Sequence, residues 1–113
     1  MIYEVREYVP AAGRFQDVVE LFGSVVVPLF TKHGMEMTQG GFTTIGDKCF
    51  NEIVYTMRFS SLAELESKWG AFLADPDWKA ALASREENGP LYHSIRRRVI
   101  DSTIFEGVLE HAV

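Results

Sequence analysis

Between Ile2 and Val9 side chains alternate, with Ile2, Glu4, Arg6 and Tyr8 on one side and Tyr3, Val5, Glu7 and Val9 on the other. That period of two predicts a strand, closed by the turn residues Pro10 to Gly13. From Arg14 the period lengthens. Phe15, Val18, Val19, Phe22, Val25, Val26, Leu29 and Phe30 recur at helical spacing. Pro28 has no amide hydrogen and pushes on the carbonyl of Ser24, so this helix should kink before Gly34 stops it in the left-handed region. Met35 to Ile45 predicts a second strand, bulged or bent at Gly40-Gly41. Gly46-Asp47 has the composition of a two-residue hairpin turn. Cys49 to Phe59 alternates again, with Ile53, Tyr55, Met57 and Phe59 against Glu52, Val54, Thr56 and Arg58. Ser61 and Glu64 then form a capping box before the stripe Leu62, Leu65, Trp69, Phe72 and Leu73. Asp75-Pro76 interrupts that helix and starts another, carrying Trp78 and Leu82, which Asn88-Gly89-Pro90 ends. Tyr92 to Ile100 is the last strand.

The predicted order is strand, helix, strand, strand, helix, strand, an α+β arrangement of the ferredoxin-like βαββαβ kind. It implies a four-stranded antiparallel sheet with two helices on one face, because both crossovers are right-handed. Tyr55, Met57 and Phe59, with Tyr3 and Val5, are expected to face the helices. Glu4, Arg6, Tyr8, Glu52, Val54, Thr56 and Arg58 are expected on the other side, joined by either Arg96, Arg98 and Ile100 or Ile95, Arg97 and Val99. That mixture of ions, hydroxyls and apolar groups has two readings. It is either a solvated antiparallel face or the wall of a polar chamber closed by a second copy in a homodimer.

Composition narrows the classes. At 113 residues the chain is one domain. No apolar run is long enough to span a membrane. The acidic start of the chain lacks the form of a secretion signal. A formal charge of −5 disfavours nucleic acid, and alternation splits Arg96, Arg97 and Arg98 between two faces. The single cysteine, Cys49, has no internal disulfide partner, which points to a cytoplasmic setting. His33, His93 and His111 lack metal-ligand spacing, so no metal is expected.

The candidate chemistry is ionic. Arg6 and Arg58 beside Glu4 and Glu52 form either a cross-strand ion ladder or a site in which a forked guanidinium holds a carboxylate or enolate. In the second case Glu4, Glu52 or His33 is the candidate base. Arg6, Tyr8, Thr56 and Arg58 are candidate ligand-binding residues. Tyr55 and Trp69 join them if they turn toward the cavity instead of the core. His33 also fits the plainer role of a cation at a helix C-terminus.

Several stretches resemble the NIPSNAP family: Ile2 to Tyr8, the Lys32-His33-Gly34-Met35 junction, Asn51 to Arg58, and Ser61 through Trp69 to Asp75-Pro76-Asp77-Trp78. The resemblance spans residues 1–105 and leaves 106–113 as a C-terminal tail. It implies a dimeric α+β barrel, and so the closed-chamber reading. The same barrel serves cofactor-free monooxygenases, an analogy of fold only. The resulting expectation is a small protein holding an anionic or apolar organic ligand in a dimer cavity. Proton abstraction or oxygenation without a cofactor is one outcome, and binding without catalysis, or a stress-associated role, is the alternative.

Overall fold

The structure, a computed structural model, describes residues 1–108. Positions 109–113, with His111 and most of the expected tail, lie outside the described residues. Strand β1 (Ile2–Pro10) leads into a helical segment in three pieces: α1 (Phe15–Leu21), a π-helical turn (Phe22–Val26) and α2 (Val27–Lys32). Then come β2 (Glu36–Phe42), β3 (Ile53–Phe59), α3 (Leu62–Ala74), α4 (Pro76–Arg85) and β4 (Tyr92–Asp101). All neighbouring strands are antiparallel in the order β2-β3-β1-β4. This is the ferredoxin-like α+β architecture.

Local chemistry sets the element ends. Ser61 Oγ accepts from the Glu64 amide at 3.1 Å and opens α3. The Glu64 carboxylate takes the Ser60 hydroxyl, so the capping box is only half formed. Asp75 Oδ1 accepts from the Asp77 amide at 2.8 Å, and Pro76 starts α4 without losing a bond. At the end of α2, Gly34 stands at φ +63°. The Met35 amide bonds the Phe30 carbonyl (2.8 Å) and the Gly34 amide that of Thr31 (3.2 Å), a Schellman closure. The effect of Pro28 is a π turn in place of a simple kink. The missing donor is absorbed by widening the ladder one turn upstream.

The link between β2 and β3 departs from expectation. Gly46-Asp47 is no two-residue turn, and β3 begins at Ile53, four positions after Cys49. Residues 43–52 form a loop closed by the Thr43 amide on the Glu52 carbonyl (3.0 Å) and the Phe50 amide on the Thr43 carbonyl (2.7 Å). Cys49 is exposed there. The β2 irregularity falls between Met37 and Gln39, ahead of the two glycines. Gly40 lies against Tyr55, whose Cβ is 3.4 Å from where a Gly40 Cβ would stand.

Strand register decides the two faces. Ile2, Glu4, Arg6 and Tyr8 pair with Phe59, Met57, Tyr55 and Ile53, so they share the face covered by the helices. Ile95, Arg97 and Val99 of β4 join that face. Tyr55, Met57 and Phe59 point to the helices as predicted and are buried. Tyr3 and Val5 do not; they lie on the opposite face with Val54, Thr56, Arg58, Arg98 and Ile100. The expected polar set is therefore divided. Glu4, Arg6 and Tyr8 belong beneath the helices, because the interior supplies partners for their charge. The core around them is aromatic: the Phe30 ring lies 5.8 Å from those of Tyr55 and Trp69 and 5.5 Å from that of Phe72.

Candidate functional site

Glu4 is the least expected buried group. It is 0% exposed at the centre of the sheet, and a carboxylate removed from water must be paired. Its Oε1 accepts from the Trp69 indole Nε1 of α3 at 2.5 Å. Its Oε2 takes Arg6 Nη1 (3.3 Å) and Arg97 Nη1 (2.9 Å). One buried anion therefore holds two guanidiniums, and the cluster carries one net positive charge.

Arg6 is fixed on several sides. Its Nε donates to Tyr8 Oη at 3.0 Å, and its guanidinium carbon lies 4.3 Å from the centre of the Trp69 ring. Nη2 has no hydrogen-bond partner among the described residues. Burial works against the Arg6 charge, yet the Tyr8 and Tyr55 phenols and the Glu4 carboxylate outweigh it and raise its pKa above the ordinary value. The two phenols are 2.8 Å apart. Burial, then Tyr8, pushes the Tyr55 phenol well up, and burial does the same to Tyr92. Near neutral pH both are hydroxyl donors, not bases.

These groups border a cavity of about 230 Å³ between the sheet and α3/α4. Arg6, Tyr8 and Tyr55 supply its polar wall, and Trp69, Trp78 and Tyr92 much of its aromatic one. The π turn contributes Phe22, whose ring centre lies 4.9 Å from that of Tyr55. A second, more apolar hollow of about 490 Å³ lies between α1 and β2, sharing Phe22 and Tyr55 as its wall.

Of the predicted site residues, the fold brings together Glu4, Arg6, Tyr8, Tyr55 and Trp69. The others lie elsewhere. Thr56 and Arg58 are on the opposite face, where Arg58 Nη2 bonds Glu36 at 2.9 Å. Glu52 sits in the loop before β3 and accepts from Thr43 Oγ1 at 2.9 Å. His33 Nε2 lies 2.8 Å from Asp75 Oδ2 at the helix ends. The sequence-predicted site did not include Trp78, Tyr92, Phe22 or Glu86, which also line the cavity. The Asp-Pro-x-Trp spacing that starts α4 was the available signal for Trp78. Nothing local marks Tyr92. Among the described residues no group of three His, Cys, Asp or Glu side chains could hold a metal. No helix there is long and apolar enough to cross a membrane.

Asp75 ties α2 to α4. It is buried and accepts from Lys32 Nζ (2.8 Å), His33 Nε2 and the Asp77 amide. The Lys32 bond first, then the Asp77 amide and His33, hold its carboxyl far below its ordinary value of 3.8. A depressed carboxyl contributes stability that is complete above the unfolded pKa and lost as pH falls through the folded one. Asp75→Asn should therefore melt below the wild type at pH 6, with the gap closing as pH drops well under 3.8. Melting curves across that range check it; a gap independent of pH would contradict the assignment.

An antiparallel four-stranded sheet with helices on one face and a charged, aromatic cavity beneath them defines a ferredoxin-like α+β domain. Within that class the chain belongs to the NIPSNAP family, whose model matches residues 3–105. A NIPSNAP family protein of unknown function from Agrobacterium tumefaciens is 24% identical, with TM-score 0.74 over 88% of this chain and 86% of that one. An uncharacterised NIPSNAP domain protein from Burkholderia xenovorans is 16% identical, with TM-score 0.75 over 89% and 93%. An antibiotic biosynthesis monooxygenase is similar at 10% identity, with TM-score 0.59 over 89% and 97%. Likeness at these identities shows the fold alone. No curated protein matches the chain.

Proposed function

We propose that this protein binds a small aromatic or otherwise planar organic anion, its carboxylate or enolate held by Arg6 in the cavity under α3 and α4. The observation that carries this reading is the Arg6 guanidinium in the cavity wall, whose Nη2 has no partner among the described residues while Nε and Nη1 are held by Tyr8 and Glu4. A positioned guanidinium with a free nitrogen against aromatic walls favours a flat anion. Binding is favoured over proton abstraction by the fate of the candidate bases. Glu4 is engaged by three donors, while Glu52 and His33 are bonded away from the cavity. Both tryptophans of the chain line this cavity, so their fluorescence reports occupancy. Titration with 4-ethylbenzoate should give saturable quenching at least about tenfold tighter than the neutral isostere 4-ethylbenzamide. Equal response to the two, or none to the carboxylate, would overturn the proposal.

The homodimer belongs to the same reading. The opposite sheet face presents Tyr3, Val5 and Val54, and Ile100, Ile104 and Phe105 beside them are exposed. Ion pairs Arg58–Glu36 and Arg96–Glu7 flank this apolar strip. A second copy related by two-fold symmetry meets it with the same strip and reciprocal charges. Light scattering should return twice the mass of the 12.8 kDa chain at micromolar concentration; a single-chain mass would dismiss the dimer. The lone thiol of Cys49 supports a reducing, cytoplasmic location, and recovery of the protein from a secreted fraction would contradict it.

A further inference from the structure

The cavity that holds Arg6 is also bordered by Glu86, a carboxylate the proposed binding of an anion does not use. Glu86 ends α4, and its Oε2 accepts from the Leu91 amide at 3.0 Å. Its Oε1 has no hydrogen-bond partner, and the group forms no ion pair, among the described residues. Strand register places Glu86 relative to Arg6. Leu91 directly precedes Tyr92, which pairs with Pro10 of β1. Arg6 lies four residue steps back along β1, about 13 Å at strand spacing. The rings of Tyr8 and Tyr92, 5.2 Å apart between centres, line the cavity wall along that interval. Burial, then Tyr8 and Glu86, raises the Tyr92 phenol above its ordinary value.

Arg6, whose guanidinium has a free nitrogen, and Glu86, whose carboxylate has a free oxygen, thus line one aromatic cavity at different levels. They form no salt bridge with each other. We infer that the cavity selects a dipolar aromatic ligand, with its carboxylate at Arg6 and an ammonium or strong hydrogen-bond donor at Glu86. The inference rests on the anion-binding reading and adds a second point of recognition. A ligand with both groups on opposite ends of one ring satisfies both free valences at once, whereas an anion alone leaves the Glu86 end without a partner. The volume of about 230 Å³ admits about ten non-hydrogen atoms, on the basis of roughly one water-sized group per 30 Å³ plus the tighter spacing of bonded atoms.

Three probes of matched shape separate the two points of recognition: 4-(aminomethyl)benzoate and its isostere 4-ethylbenzoate, with 4-ethylbenzylamine, one atom smaller, as the cation. Tryptophan quenching should rank the dipolar probe about two- to fivefold tighter than 4-ethylbenzoate, as expected for a partly exposed ion pair. The amine alone should bind most weakly, because Arg6 repels it. In Glu86→Gln the advantage of the amino group should vanish while 4-ethylbenzoate binds no more weakly than before, because a like charge has been removed from the cavity. Glutamine keeps an oxygen for the Leu91 amide, and an unchanged melting temperature verifies that α4 stays in place. If 4-ethylbenzoate binds but the amino group adds nothing, the dipolar inference falls and the anion site survives. If the amino group adds affinity equally in Glu86→Gln, Glu86 is not its partner and the inference also falls. Failure of both carboxylates removes the two proposals together.

Discussion

Glu4→Leu is expected to melt about 12–20 °C below the wild type. Leucine is similar in size to the side chain it replaces, so the loss is electrostatic. The Trp69 indole would remain buried without an acceptor, and Arg6 would lose the carboxylate that balances its charge and keep only Tyr8 Oη, while Arg97, half exposed, returns to water. Removing one partner of a buried ionic set costs about 3–5 kcal/mol, and for a domain of this size each kcal/mol shifts the melting point by about 4 °C. Adding Arg6→Met to Glu4→Leu should recover part of the loss, since no orphaned guanidinium then remains beneath α3. Thermal denaturation of the two single variants and the double variant closes the cycle. A Glu4→Leu protein within about 1 kcal/mol of wild type would mean the carboxylate does not organise this cluster.

Arg6→Met should separate ligand binding from folding. Glu4 keeps Arg97 and Trp69 in the variant, and the pair is then neutral overall. Methionine fills the stem's place against Trp69 without charge. The protein should stay folded, with a modest drop in melting temperature. The affinity for 4-ethylbenzoate should fall by about 10- to 100-fold, the value of a charge-assisted hydrogen bond, and 4-ethylbenzamide should be little affected. The carboxylate preference measured on the wild type would therefore collapse. Retention of that preference in Arg6→Met would assign it to another cation, such as Arg97, which shares Glu4 Oε2 with Arg6.

The two variants probe one unit in two ways. In the proposed site Glu4 positions Arg6, and Arg6 meets the ligand. The π turn ahead of Pro28 has a place in the same picture, because it presents Phe22 to Tyr55 where the small cavity meets the larger apolar hollow.

By itself the amino-acid sequence determined the elements and their order. Ser61, Asp75-Pro76 and Gly34 act on backbone groups within a few residues, so their caps and stops could be read locally. The alternation of Ile53 to Phe59 likewise exposed its buried side. Only the tertiary structure decided which way β1 faces. Both of its sides mix polar and apolar residues, and a one-residue choice of register exchanges Glu4, Arg6 and Tyr8 for Tyr3, Val5 and Glu7. The rule that ions face outward fails here because partners from distant parts of the chain, Trp69 on α3 and Arg97 on β4, satisfy the Glu4 carboxylate. Pairing over such separations leaves no local periodicity to read, and so the charged floor of the cavity came into view only with the folded chain.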